Sequence, residues 1–239
     1  MNKTELYQPV IIKKEIDDEH FYYVDGKFSP AVTKILGETL PMPYALRQWI
    51  GEVGNDKAEQ RLQQAGDRGT HLHDACERLL KGEEINLLND FPKAADKKCL
   101  VAFSNWCAEY QPIIKGTEFT VASRSGYAGT LDILCEIEKE LYIVDIKTSR
   151  SIYDSHKLQI AAYQNAYFEM SGLQTKPAIL HLNPLTKKGY KFETELLIKN
   201  EPVKASDFFH VFALYKILNG GTIPEPPLVD KYPETIKLK

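Results

Sequence analysis

Three features of the chain predict an α/β protein. Runs rich in β-branched and aromatic residues, at 116–123, 130–135, 141–147, 178–182 and 190–198, have the composition of strands. Apolar residues recur at helical spacing over 56–80, 91–110, 153–170 and 206–218. The two kinds of segment are interleaved, with helices ahead of the first long strand and one between the runs at 141–147 and 178–182.

In chain order, 9–14 and 20–24 read as strands of a small β-element, with Asp25-Gly26 as a turn signal. Residues 29–37 read as a short helix, capped by Ser29, with Pro30 in its first turn and Gly37 at its end. A helix over 44–53 is expected to bury Leu46, Trp49 and Ile50, and Asn55 can cap the longer helix that follows. Gly66 and Gly69 fall inside that helix, where each costs about 1 kcal/mol against Ala. They indicate either a break or the close approach of another group. The helix at 91–110 is expected to bury Ala95, Leu100, Phe103 and Trp106, or their neighbours, and Pro112 ends it. The strand at 116–123 carries Glu118, and Ser125-Gly126-Tyr127 turns the chain into a hairpin. In the helix at 153–170, Ala161, Ala162 and Ala166 suit close packing on a sheet, while Gln159 and Tyr163 lie one turn apart. Lys187-Lys188-Gly189 is a basic hairpin loop before the strand at 190–198, and a Pro-rich tail begins near residue 224.

The hairpin at 129–147 concentrates the chemistry. If Glu138-Lys139 is a two-residue turn, Asp132 stands opposite Asp145, with Cβ atoms about 5 Å apart. Lys147 then shares the face of Asp145, and Leu131, Ile133, Cys135, Tyr142, Val144 and Ile146 form an apolar set on the other face. Facing carboxylates are costly unless a cation lies between them, and hard oxygen ligands suit Mg²⁺ or Mn²⁺. A register slip of one residue would separate the two acids and leave an exposed hairpin edge. His73 and Glu77 share a helix face at i, i+4, either as an ordinary surface pair or as a ligand histidine brought to the hairpin; His71 points elsewhere.

The whole chain sets limits on these readings. It has 239 residues, 43% hydrophobic and 26% charged, the composition of an ordinary globular domain. No apolar run approaches the roughly 20 residues that cross a bilayer, and the mixed-charge N-terminus lacks the apolar core of a signal peptide. No membrane association is expected, and the expected location is the cytoplasm. Cys76, Cys99, Cys107 and Cys135 form no zinc or cluster spacing and read as reduced thiols. A net charge of −3 gives no global basic signal, so a nucleic-acid partner would need a local patch.

Taken in order, Gly69-Thr70…His73, Gly129…Asp132, Asp145-Ile146-Lys147 and Gln159…Tyr163 resemble the motifs of the PD-(D/E)XK nuclease superfamily, in its RecB-type exonuclease branch. The N-terminal Ser29-Pro30-Ala31-Val32-Thr33-Lys34-Ile35-Leu36 and Leu46…Trp49 are similar, more loosely, to the mitochondrial genome maintenance exonuclease group with its bacterial and phage relatives. The resemblance implies a restriction-endonuclease-like core over 113–223, a central mixed sheet flanked by helices. It also implies a helical arch region over 1–112 that contributes His73, and an extended tail over 224–239. It implies that Asp132, Asp145, the Ile146 carbonyl and His73 ligate Mg²⁺ or Mn²⁺. Lys147 would assist the attacking water, Gln159, Tyr163 and Thr148 would contact substrate or brace the site, and Glu118 would be a supporting acid. No iron–sulfur cluster is expected, because the cysteines depart from the spacing of the branch that carries one. The implied activity is a DNA exonuclease acting on single-stranded ends in replication, recombination or repair. With no helicase motif in the chain, the resemblance implies either a stand-alone nuclease or one that works with a separate helicase or recombination protein. A structure-specific endonuclease and a catalytically silent nucleic-acid-binding module are the alternatives.

Overall fold

The computed structural model describes residues 6–16, 19–183 and 185–221. The expected tail at 224–239 lies outside them. An antiparallel three-stranded sheet opens the fold, β1 (Ile11–Ile16), β2 (Glu19–Val24) and β3 (Lys27–Ser29). Asp25 and Gly26 both adopt positive φ in the β2–β3 turn, as the sequence signal requires. Ser29 and Pro30 do not start a helix. Ala128 donates its N–H to the Pro30 carbonyl and Ala31 bridges to Ala128, so the chain stays extended there. The helix α1 (Val32–Thr39) begins two residues later and runs through Gly37.

Two further helices follow, α2 (Tyr44–Val53) and α3 (Asn55–Leu80). Leu46, Trp49 and Ile50 are only half-buried, because α2 packs chiefly on the first half of α3, whose own residues 59–67 face solvent. Helix α3 is unbroken through both glycines and is preceded by Gly54, with no side-chain cap from Asn55. Gly69 marks a close approach: a Cβ there would lie 3.4 Å from Thr148 Oγ1, while nothing lies within 4 Å at Gly66. The next helix, α4 (Ala94–Tyr110), starts three residues later than the sequence suggests. Phe91 is buried ahead of it, stacked on His71 at 4.4 Å. Ala95 is exposed, and Asp96 takes the inward position instead, neutralised by Arg68 of α3.

The central sheet has the order β4 (Ile113–Ser123), β5 (Tyr127–Ile137), β6 (Glu140–Lys147), β7 (Lys176–Leu182), β8 (Tyr190–Glu193). Its strand pairs are antiparallel except β6–β7, which are parallel and joined by the crossover helix α5 (Asp154–Ser171). The expected single strand over 190–198 is split. The chain leaves β8 at Glu193, and β9 (Leu197–Ile198) pairs with β10 (Glu201–Pro202) around Lys199 and Asn200, both left-handed. The last described helix is α6 (Ala205–Leu218).

Helices cover both faces of the sheet, giving a mixed α/β architecture. On one face α1, α5 and α6 enclose Leu134, Ile143, Ile160, Ile179, Phe208 and Phe212. Ala161, Ala162 and Ala166 are buried here and let α5 lie close to the strands. On the other face α3 and α4 bury Leu72, Phe103, Trp106, Val144, Ile146 and Leu180. Cys76, Cys99 and Cys135 fill volume in this second core, where burial raises their thiol pKa values. No described helix is long and apolar enough to cross a membrane.

Candidate metal and nucleic-acid site

The β5–β6 hairpin has the expected register. Glu138 and Lys139 form a two-residue turn with φ of 51° and 67°, and pairing runs from Ile137–Glu140 to Ile133–Val144. Both turn residues accept the left-handed backbone that usually selects Asn-Gly. Pairing stops just before Asp132 and Asp145. There the Ile146 N–H donates to Asp132 Oδ2 at 2.6 Å, so a side chain replaces the next backbone partner. The apolar set predicted for one face is divided at this point. Ile133, Cys135, Val144 and Ile146 are buried under α3 and α4, with Tyr142 packed against them, but Leu131 joins the core on the α5 side. The cause lies on the neighbouring strand. Glu118, opposite Asp132, has φ of 46° inside β4, and the β4–β5 ladder skips it between Thr117–Ile133 and Phe119–Leu131. A non-glycine residue held this way costs of order 1–3 kcal/mol, and such residues cluster at functional sites.

A cleft of about 550 Å³ gathers the candidate residues, with Asp132, Asp145, Lys147, Gln159, Tyr163, His73 and Glu118 in its lining. Lys147 Nζ lies 2.7 Å from Asp145 Oδ2 and donates to Gln159 Oε1 at 3.1 Å. The Gln159 amide donates from Nε2 to Asp145 Oδ1 at 3.1 Å and to the Tyr163 hydroxyl at 3.0 Å. Both faces of that amide are therefore committed, which fixes its orientation. His73 approaches from α3, its Nδ1 3.5 Å from Asp132 Oδ2.

Burial and charge push the two aspartates apart. Asp145 is 1% exposed; burial, and then the negative charge of Asp132, raise its pKa against the pull of Lys147. Asp132 is held below the usual carboxylate range although burial opposes it, because His73, Lys147 and the Ile146 N–H outweigh that penalty. His73 is the reciprocal case: burial lowers its pKa, Asp132 more than reverses this, and the imidazole ends raised. Glu118 is raised by burial and by Asp132, while Lys13 of β1, 3.8 Å away, opposes the shift.

Some expectations fare differently. Thr148 is not in the cleft lining; it packs against Gly69 of α3. Glu77 lines the cleft but is engaged by Thr117 at 2.9 Å and Lys81 at 2.8 Å. Among the described residues no group of three or more His, Cys, Asp or Glu side chains is arranged to hold a metal ion. In this arrangement Lys147 lies against Asp145 and the His73 ring lies against Asp132. The sequence reading missed the contribution of the N-terminal sheet. Lys13 and Tyr22 wall the cleft, and the Tyr22 hydroxyl pairs with Thr130 Oγ1 at 2.9 Å. Only long-range packing brings them there, so no local signal could have placed them.

No family model and no curated protein matches the chain. Among solved structures it is similar to the crystal structure of SSO0001, at 16% identity over 78% of this chain and 84% of that one, with a TM-score of 0.37. A likeness at that level carries no argument about function.

Proposed function

We propose that the chain is a divalent-metal-dependent nuclease that hydrolyses phosphodiester bonds in DNA, acting as an exonuclease on single-stranded ends. The observation behind this reading is the meeting of Asp132, Asp145, Lys147, Gln159 and Tyr163 in one cleft, with His73 reaching in from a separate helix. An antiparallel β4–β5–β6 unit followed by a parallel β7 through α5 also suits a restriction-endonuclease-like core.

By donor chemistry, two carboxylates, a backbone carbonyl and an imidazole suit Mg²⁺ or Mn²⁺. Asp145 Oδ2 is buried with Lys147 Nζ 2.7 Å away, and a small cavity of about 10 Å³ beside it is walled by residues that include His73, Glu118, Asp132 and Ile146 but not Asp145. That is roughly the space of one water-sized particle. Asp132, Asp145, the Ile146 carbonyl and His73 would hold the ion. Bound there, it supplies Lewis-acid polarisation of a phosphoryl oxygen and a lowered pKa for the attacking water. Lys147 carries a positive charge at the point where negative charge develops, and its links to Asp145 and Gln159 hold it there. Tyr163 and Gln159 keep Asp145 oriented, and Glu118, exposed at the cleft edge, is an acid whose pKa is raised beside Asp132.

The partner is DNA, delivered as single-stranded ends by a separate helicase or recombination protein. Linear and covalently closed circular single strands, incubated with the protein in Mg²⁺ or Mn²⁺, test the reading. Linear strands should shorten from an end while circles survive. Equal loss of circles would exclude an exonuclease and favour the endonuclease alternative.

A further inference from the structure

A second groove, of about 760 Å³, meets the first cleft at Thr33, Lys147 and Gln159. We infer that it is the subsite for the nucleotide flanking the scissile phosphate, with the base on its apolar wall and the sugar-phosphate on His156. This rests on the nuclease reading and adds a second binding element to it.

Thr33, Lys147 and Gln159 line both spaces. A strand whose reacting phosphate lies beside Lys147 must send its next nucleotide somewhere, and the groove opens from that same lysine. One wall is apolar and comes from the end of α1 and the segment that follows: Leu36, Leu40, Pro41, Met42, Pro43 and Leu46. Met42 is 46% exposed, so this apolar surface is open rather than packed. Apolar and aromatic platforms are how proteins hold unstacked bases without reading their sequence. Leu46 of α2, half-buried, lines this groove as well.

The opposite wall is the start of α5, with Tyr153, Asp154, Ser155 and His156. Asp154 is paired with Lys157 at 2.9 Å, which offsets its charge toward a polyanion. His156 Nδ1 accepts the Tyr153 N–H at 3.3 Å, so the neutral ring carries its proton on Nε2 and is a donor there. Burial, with Lys147, His181 and Lys157 nearby, pushes His156 down to about 3, which keeps the ring in that neutral tautomer at working pH. A neutral donor beside Lys147 suits a phosphate or sugar oxygen.

The test measures cleavage kinetics on an end-labelled oligo-dT strand in Mn²⁺, either intact or with one abasic residue stepped along the strand from the labelled end. Met42→Asp and Leu46→Asp should each raise KM about tenfold, with kcat within about twofold. At one abasic position the wild type should show a similar loss, and there the two variants should lose nothing more, as coupled partners do in a double-mutant cycle. His156→Phe should also raise KM, and His156→Gln, which keeps a donor, should restore part of it. Variants with wild-type KM on every strand would overturn the subsite while the nuclease reading stands. A wild-type protein that cleaves no strand in any metal would overturn both, and thermal melts of the variants separate lost binding from lost folding.

Discussion

Gly129 shows how a single residue positions the candidate site. A Cβ there would lie 2.4 Å from Tyr163 Cε1, so only glycine lets the Tyr163 ring pass close over β5 and bring its hydroxyl to Gln159. Gly129→Ala should destabilise the fold by about 1–3 kcal/mol, read from thermal or urea melts. The penalty should shrink when Tyr163 is first changed to Leu; an equal penalty in both backgrounds would assign it to something other than that ring. The glycine was legible in the sequence as part of a motif, but its reason was not, because the clash comes from a residue 34 positions away. Asp132 and Asp145 were more legible. Strand periodicity and a two-residue turn were enough to place them side by side, and the structure has that turn and register. What periodicity could not give was the positive φ of Glu118 and the diversion of Leu131 to the other core. Both fall where the β4–β5 pairing passes over Glu118 and Asp132.

At the scale of elements, helical spacing located α3, α4, α5 and α6, and the misreadings concentrate at ends and at partners. Ser29-Pro30 has the chemistry of a helix start, but a tertiary bond from Ala128 keeps it extended. The run at 190–198 looks like one strand until Lys199 and Asn200 draw its second half into a separate hairpin. Helix α3 shows the reverse case, two glycines that suggest a break in a helix that has none. Gly69 is explained by Thr148; Gly66 has no such neighbour. Gly66→Ala should therefore stabilise the protein by about 1 kcal/mol in a denaturant titration, through helix propensity alone. A loss of stability there would mean that α3 must bend or admit a close neighbour at that point.

Over the whole molecule, two helical layers enclose the sheet while α2 and the outer half of α3 stand away from it, so the candidate site sits between a packed core and a more exposed arm. Acid stability should report on the start of α5 through His156. Its folded pKa, about 3, lies below the ordinary value of 6.5, so the unfolded chain binds the extra proton between these values. The contribution is intact above pH 6.5 and is lost as pH falls toward 3, by up to about 1.4 kcal/mol per pH unit. His156→Gln should flatten that slope relative to wild type, as measured by urea midpoints between pH 4 and 7; parallel slopes would mean that the ring titrates normally in the fold.

The central claim is that this cleft performs metal-dependent phosphodiester hydrolysis. The most direct measurement compares wild type, Lys147→Ala and Asp145→Asn on an end-labelled single strand, in Mn²⁺ and in a chelator, after each protein has been shown to unfold cooperatively. Wild type should cleave only with metal, and the two folded variants should not cleave at all. Cleavage by either variant at the wild-type rate, or none by wild type in any divalent metal, would contradict it.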